Sequence, residues 1–239
     1  MLQIERHKQI LQLLKFHTAL RVSDLASELY ISEATVRRDL CEMEKAGLVR
    51  RVYGGVTLNE ADMPLDFRRR ENAQAKREIA AKAAALISDG DTVFLDSSST
   101  AQHMLPYLSR FRDLAVITNS HSVLEQLCTS EHRLISTGGR LLLRNRAFVG
   151  PAAEAALESL SPAIAFFSSQ GVGADGEITD DSEEETSLRR VLLRRAARTV
   201  FLCDTGKLGK RHLYRLCHLC EVDEVICDGE IPAAYFTKK

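Results

Sequence analysis

Two sets of residues have side chains whose types and spacing suit recognition chemistry. The first is Ser32, Thr35, Arg37 and Arg38, followed by Arg50, Arg51 and Tyr53. Hydroxyls and guanidiniums gathered near one helix start suit phosphate oxygens and base edges in a DNA major groove, and a basic extended pair suits the sugar-phosphate backbone. The second set is a series of small polar loops, each following an apolar run: Asp96-Ser97-Ser98-Ser99-Thr100, Thr118-Asn119-Ser120, Thr137-Gly138-Gly139, Ser168-Ser169-Gln170-Gly171 and Asp204-Thr205-Gly206-Lys207. A Ser/Thr turn that opens a helix offers hydroxyls and unpaired backbone N–H groups to an anion, and the helix dipole adds to the attraction. Asp96 to Thr100 is therefore the expected phosphate cradle, and Lys207 adds a mobile cation with three donors. Each feature has a plainer reading: paired arginines as a solvated helix face, the serine run as an ordinary capping loop, the lysine as solvated. Their arrival together favours a small anionic ligand.

The first set needs a short helical scaffold. Ile4, His7, Leu11 and Leu14 follow helical spacing, with Ile10 and Leu13 widening the stripe, and the helix is expected to end near His17-Thr18. A second, short helix is expected from Val22-Ser23-Asp24, with Ser23 as N-cap and Leu25, Ala26 and Leu29 inward. After a break at Tyr30-Ile31, Ser32 caps a third helix. Ile31 and Val36 fit a hydrophobic staple around that cap. Val36, Leu40 and Met43 form the buried face, and Gly47 ends the helix. Glu33, Thr35, Arg37, Arg38 and Cys41 take the opposite face. Leu48 to Val56 reads as a hairpin wing about a Gly54-Gly55 turn, carrying Arg50, Arg51 and Tyr53. Helix, short helix, break, amphipathic helix and basic hairpin, in that order, predict a winged helix-turn-helix over residues 1–57.

Residues 58–75 read as a linker: Pro64 and the polar cluster Asn59 to Asp62 interrupt any periodicity, and Arg68-Arg69-Arg70 reads as a solvated run. From residue 76 to 239, after a helix at Glu78 to Ile87, short apolar runs alternate with helical stretches. The expected fold is α/β, a parallel sheet covered by helices. The strand-end loops of such a sheet converge on one crevice.

Composition bounds the rest. The 239 residues are 45% apolar and 27% charged, with a net charge of −1. Residues 1–57 hold nine Lys and Arg against seven Asp and Glu, and the remainder holds 23 against 26, too weak an asymmetry to indicate nucleic acid by totals alone. No apolar stretch approaches the roughly 20 residues of a bilayer span, and six dispersed cysteines do not resemble a secreted disulfide framework. A cytoplasmic location and no membrane partner are expected. Cys217-His218-Leu219-Cys220 offers only one clear ligand pair, so packing is expected there, not a metal, and no cofactor is expected. His103 and His121 lie in helix starts near the crevice.

Ser32-Glu33-Ala34-Thr35-Val36-Arg37-Arg38-Asp39-Leu40 together with Gly47 to Val56 resembles the DNA-binding signature of the DeoR-type repressors of sugar metabolism, with Tyr53 standing at a usual histidine. The loop 96–100, Thr118-Asn119-Ser120, Gly138-Gly139, Phe148-Val149-Gly150, Glu184-Glu185 and Asp204-x-x-Lys207-Leu208-Gly209 extend the resemblance along the chain, with Ser98 and Ser168 at usual glycines. The resemblance implies a sensor domain related to ribose-5-phosphate isomerase that binds phosphorylated sugars. The expected function is transcriptional regulation: a double-stranded DNA operator bound by a homo-oligomer, with a phosphorylated sugar as effector. A sugar-phosphate isomerase carrying a nucleic-acid-binding domain is the second reading. Isomerisation requires a carboxylate base beside the substrate C–H, and where the isomerases carry an acidic run this chain has Ser168-Ser169-Gln170-Gly171. A dimerisation module without ligand is the third.

Overall fold

The computed structural model describes residues 2–17, 19–58 and 65–237. The expected helix end at Thr18 and the linker residues Asn59 to Pro64 lie outside the described residues. The chain divides into two compact units, Met1–Pro64 and Leu65–Lys239.

The first unit runs α1 (Gln3–Phe16), β1 (Leu20–Arg21), α2 (Val22–Glu28), α3 (Glu33–Lys45), β2 (Val49–Val52) and β3 (Gly55–Leu58). Ile10, Leu11 and Leu14 of α1 meet Leu25, Leu29, Val36, Leu40 and Met43 in its core. Ile4, expected in that stripe, is exposed, because the core reaches only the later turns of α1. The expected Ser32 cap is present, with Thr35 N donating to Ser32 Oγ at 3.2 Å, and Gly47 closes the helix at φ +71°. Ser23 is not a cap. Helix α2 starts two residues earlier than that cap implies, behind an extended Arg21 that pairs with Gly55, and Val22 N donates to Gly54 O at 3.1 Å. The wing, not a local serine, sets where α2 begins.

The sheet has the order β1-β3-β2, and the hairpin turns at Tyr53-Gly54, with Gly55 paired to Val52. The turn thus sits one residue before the expected Gly54-Gly55. Gly55 is instead the point of close backbone approach: a Cβ there would lie 2.5 Å from Leu20 O. Gly55→Ala is expected to part β1 from β3 and cost about 1–3 kcal/mol, readable as a lower thermal midpoint of the first unit.

The second unit begins earlier than residue 76. Helix α4 (Leu65–Arg70) lies within the stretch expected to be linker. It is anchored by buried Leu65, whose N–H donates to Arg144 O. The Lys76 ammonium donates to the carbonyls of Arg68 and Glu71, filling acceptors that a helix end leaves open. Helix α5 (Ala73–Ala84) follows, also starting before the expected Glu78.

The remaining elements are β4 (Thr92–Leu95), α6 (Ser99–Gln102), α7 (Leu105–Leu108), β5 (Ala115–Thr118), α8 (His121–Leu127), β6 (Arg133–Ser136), β7 (Arg140–Leu142), β8 (Ala147–Val149), α9 (Pro151–Glu158), β9 (Ile164–Phe167), β10 (Gly171–Val172), β11 (Glu177–Asp180), α10 (Glu183–Arg195), β12 (Thr199–Cys203), β13 (Tyr214–His218) and β14 (Glu224–Cys227). Six of the strands form a parallel sheet ordered β14-β12-β9-β4-β5-β6. Its four inner strands are buried on both faces, as packing between two helical layers requires. Val93 and Leu95 point into one cluster with Ile79, Ala83 and Met104, while Phe94 points into the other with Leu157, Leu188 and Leu192. Strands β13 and β14 fall in the stretch Tyr214 to Ile226, which reads as strand and short turn in the sequence, whereas the antiparallel elements β7-β8 and β10-β11 were not expected. Among the described residues no helix is long and apolar enough to cross a membrane.

Candidate functional site

Helix α3 presents the first residue set. Val36, Asp39, Leu40 and Met43 are buried, leaving Ser32, Arg37 and Arg38 exposed and Thr35 partly so. Ser32 Oγ and Thr35 Oγ1 lie 2.9 Å apart at the helix start. Arg37 pairs with Glu33 at 3.0 Å, both well exposed, an arrangement worth only a fraction of a kcal/mol and easily surrendered to another anion. On the hairpin Arg50, Arg51 and Tyr53 are all exposed, Tyr53 fully. The N–H of Arg51 donates to Glu44 Oε1 at 2.8 Å, fastening the wing to α3.

Asp39 has a different role from the arginines beside it. It is fully buried and takes two hydrogen bonds from Arg6, at 2.6 and 2.9 Å. Burial alone would raise its pKa; the Arg6 bonds outweigh that and hold it below the usual carboxylate range. It ties α1 to α3 and so fixes the angle of the exposed face. A charged residue inside a basic run gives no sequence signal of burial.

The strand order fixes the second site. The chain fills one side of the sheet through β4, β5 and β6, then returns to fill the other through β9, β12 and β14, so the switch point lies between β4 and β9. Ligands in such sheets sit outside the strand carboxyl ends at that point. The residues there are Asp96 to Thr100 after β4 and Ser168 after β9.

Asp96 clamps the two loops. Its Oδ1 accepts Ser98 N at 3.0 Å, and its Oδ2 accepts Ser168 N and Arg189 Nε, both at 3.1 Å. Ser98 Oγ caps α6, accepting Ala101 N at 3.1 Å. Lys207, on a single helical turn after β12, sends its ammonium to Ser168 Oγ at 2.6 Å and Thr100 Oγ1 at 3.4 Å, with Asp204 Oδ2 3.6 Å away. Asp204 also accepts Asn72 Nδ2 at 3.0 Å. Burial opposes its charge, and Lys207, Lys76 and Asn72 together hold its pKa below the ordinary value. Lys76 is itself buried, which brings its pKa down to about 8, and the neighbouring Lys207 charge adds to that. A cluster with two ammonium groups, three hydroxyls and two carboxylates can bind a phosphate and orient a polyol.

Not every expected residue converges there. Ser97, Ser99 and Thr118 are buried supports: Ser97 Oγ donates to Glu185 Oε1 at 2.9 Å, and Thr118 Oγ1 donates to Leu95 O at 2.6 Å. Asn119 donates to Phe148 O at 3.3 Å, and its Oδ1, buried, has no partner among the described residues. Gly138 and Gly139 lie beyond β6, Gly139 against Val149 and Ala153, two strands from the switch point.

Sequence reasoning passed over several site residues. Arg189 of α10 is buried against three carboxylates, Asp96, Asp180 and Glu185, at 3.1, 2.9 and 3.6 Å. Burial works against its charge, and the three carboxylates outweigh it and raise its pKa. Glu185 also takes Asn145 Nδ2, and Asn145 Oδ1 takes Arg68 Nη2 at 2.6 Å. A hydrogen-bonded chain thus runs from Asp96 through Arg189, Glu185 and Asn145 to Arg68 on α4. Ser168 was visible as a strand-end residue; Arg68 was hidden inside an apparently solvated basic run. His218, considered beside Cys220, donates from Nε2 to Asp175 O at 2.8 Å and accepts Cys220 N at Nδ1, a turn-fixing role.

Comparison with known proteins bears on both sites. Residues 6–62 match the DeoR-like helix-turn-helix domain, and residues 71–229 match the DeoR C terminal sensor domain. The uncharacterized HTH-type transcriptional regulator YulB of Bacillus subtilis (strain 168) is 33% identical over 238 residues, 98% of this chain and 92% of that one. The lactose phosphotransferase system repressor of Staphylococcus epidermidis is 32% identical, covering 94% of this chain and 92% of that one. The L-fucose operon activator of Escherichia coli (strain K12) is 31% identical, covering 93% and 94%. Among solved structures, eIF2B delta from Chaetomium thermophilum superposes with a TM-score of 0.51 at 18% identity, over 70% of this chain and 60% of that one. Ribose 5-phosphate isomerase A from Methanocaldococcus jannaschii superposes at 0.43 and 19%, over 58% and 55%.

Proposed function

The chain belongs to the DeoR family of helix-turn-helix transcriptional regulators, and from that premise we propose that it governs a sugar-metabolism operon in the cytoplasm under control of a phosphorylated sugar. It is a regulator of transcription and not an enzyme, so the isomerase reading falls away, and its first unit binds DNA. The α3 face of Ser32, Thr35, Arg37 and Arg38 enters the major groove, and Arg50, Arg51 and Tyr53 of the wing meet the backbone. The operon assignment draws on relatives named for lactose and L-fucose operons, one a repressor and one an activator. Repression is the mode proposed here. Two or more copies place paired recognition helices on a repeated or palindromic operator.

The observation that carries the effector reading is the switch-point cluster: Lys207 on Ser168 and Thr100, with Asp204 and the Asp96 clamp, at the one crevice where this strand order gathers loops. A phosphate entering there replaces the Ser168 and Thr100 hydroxyls as the partner of Lys207 and frees Asp204 to reorient. Asp204 is held by Asn72, and Arg68 is held through Asn145 and Glu185, so the segment 65–72 is bonded to the crevice at its end and at its middle. That segment directly follows the residues joining the DNA-binding unit in the chain, which gives the ligand a physical handle on the head. Ligand acts only through its different affinity for the two arrangements.

Lys207→Ala is expected to abolish the thermal stabilisation that a cognate sugar phosphate gives the full chain. At 100 times Kd, that stabilisation is about 2.7 kcal/mol. The check is a melting series over a panel of phosphorylated sugars. A panel in which none stabilises the wild type would contradict the effector reading and leave a dimerisation module.

A further inference from the structure

A cavity of about 550 Å³ opens in the second unit away from the strand ends, lined by Arg69 of α4, Arg77 of α5, Gln102 and His103 at the end of α6, Leu105, Pro106 and Tyr107 of α7, and Gln126 and Leu127 of α8. Its size is that of a small-molecule pocket. No lining residue is acidic, and two are arginines. Arg69 reaches Gln126 Oε1 at 3.3 Å, and Arg77 has no carboxylate partner among the described residues.

One acceptor completes the set. Gln102 is 3% exposed, with Nε2 donating to Ser97 O at 3.2 Å, so it forms part of the wall and holds the loop behind it. His103 Nδ1 is 2.8 Å from Ser99 O, which makes Nδ1 the donor and leaves Nε2 as an acceptor on the neutral ring. Burial, with the charges of Lys76, Arg69 and Arg77, holds that ring below its ordinary pKa against the Ser99 bond, favouring the neutral form.

We propose that this cavity is a second ligand site, separate from the strand-end crevice, for a small hydroxylated organic anion, whose anionic group lies between Arg69 and Arg77 and whose hydroxyl donates to His103 Nε2. Gln102 and His103 bond the carbonyls of Ser97 and Ser99, so an occupant here braces the Asp96–Thr100 loop from behind.

The test titrates the full chain carrying Lys207→Ala, in which the crevice is disabled, with glucose 6-phosphate and with inorganic phosphate. One site is expected to remain. Adding Arg77→Gln, at an exposed position that does not threaten folding, weakens both probes about tenfold, the loss of one charge-assisted bond. Adding His103→Phe instead weakens glucose 6-phosphate and spares inorganic phosphate. Unchanged affinity on Arg77→Gln overturns the proposal. So does binding lost entirely with Lys207→Ala, which leaves the crevice as the sole site. An Arg77→Gln chain that sediments as a smaller species while binding phosphate normally also overturns it, making the cavity wall a contact between copies. Wild-type stoichiometry retained in Lys207→Ala, with loss on Arg77→Gln, sinks the crevice assignment and upholds this one.

Discussion

Replacing Arg37 and Arg38 together by alanine lowers operator affinity by about 100-fold or more while the fold and the response to sugar phosphate persist. Each arginine that reads a base edge bidentately is worth about 1–3 kcal/mol, and each that meets a phosphate also releases counterions. The double variant therefore shows a flatter dependence of log affinity on log salt, by about 0.9 per phosphate contact removed. The folded state should hardly notice. Both side chains are exposed on the face opposite Val36, Leu40 and Met43, the Arg37–Glu33 pair is solvated, and alanine is a good helix former. Asp39→Ala is the contrasting control: it leaves Arg6 without its buried carboxylate, so α1 loses its tie to α3 and DNA binding falls together with the thermal midpoint of the first unit.

The second large effect lies in the sensor unit. Arg189→Met removes the cation that meets all three buried carboxylates, Asp96, Asp180 and Glu185. Breaking a buried pair from one side costs about 3–5 kcal/mol, or about 10 °C in a chain of this size. Melting both chains side by side checks this: a variant that melts with the wild type would mean the three carboxylates are not held together by Arg189. Because Asp96 also clamps Ser98 and Ser168, the surviving folded variant is expected to respond poorly to sugar phosphate.

The residues that were legible in the sequence are those whose role follows from local chemistry. Ser32 caps α3 because a hydroxyl before an apolar-periodic helix has a backbone N–H within reach, and Arg37 and Arg38 face outward because Val36 and Leu40 must face inward. The runs at 92–95, 164–167 and 199–203 declare buried strands because a parallel sheet under two helical layers leaves no polar face. The residues that escaped are set by distant partners. Arg189 looks like one of several arginines on an amphipathic helix, and only the return of α10 across the switch point brings it to Asp96, 93 positions away in the chain. Arg68 sits in a triple-arginine run that reads as solvent-facing; its partner Asn145 lies on a connection with no periodicity of its own. Ser23 has every local qualification as a cap, and loses the role because the β1–β3 pairing fixes Arg21 in an extended conformation first. Gly138 and Gly139 were grouped with the crevice by analogy of loop type, and the strand order places them two strands away.

The measurement closest to the central claim is a binding titration of the full chain on the DNA upstream of its own gene, across a range of salt, with and without each of a panel of phosphorylated sugars. The account predicts specific, salt-dependent binding that one sugar phosphate shifts, and a Lys207→Ala chain that binds the same DNA but no longer responds. Specific binding indifferent to every sugar phosphate, or a Lys207→Ala chain that responds as the wild type does, would contradict it.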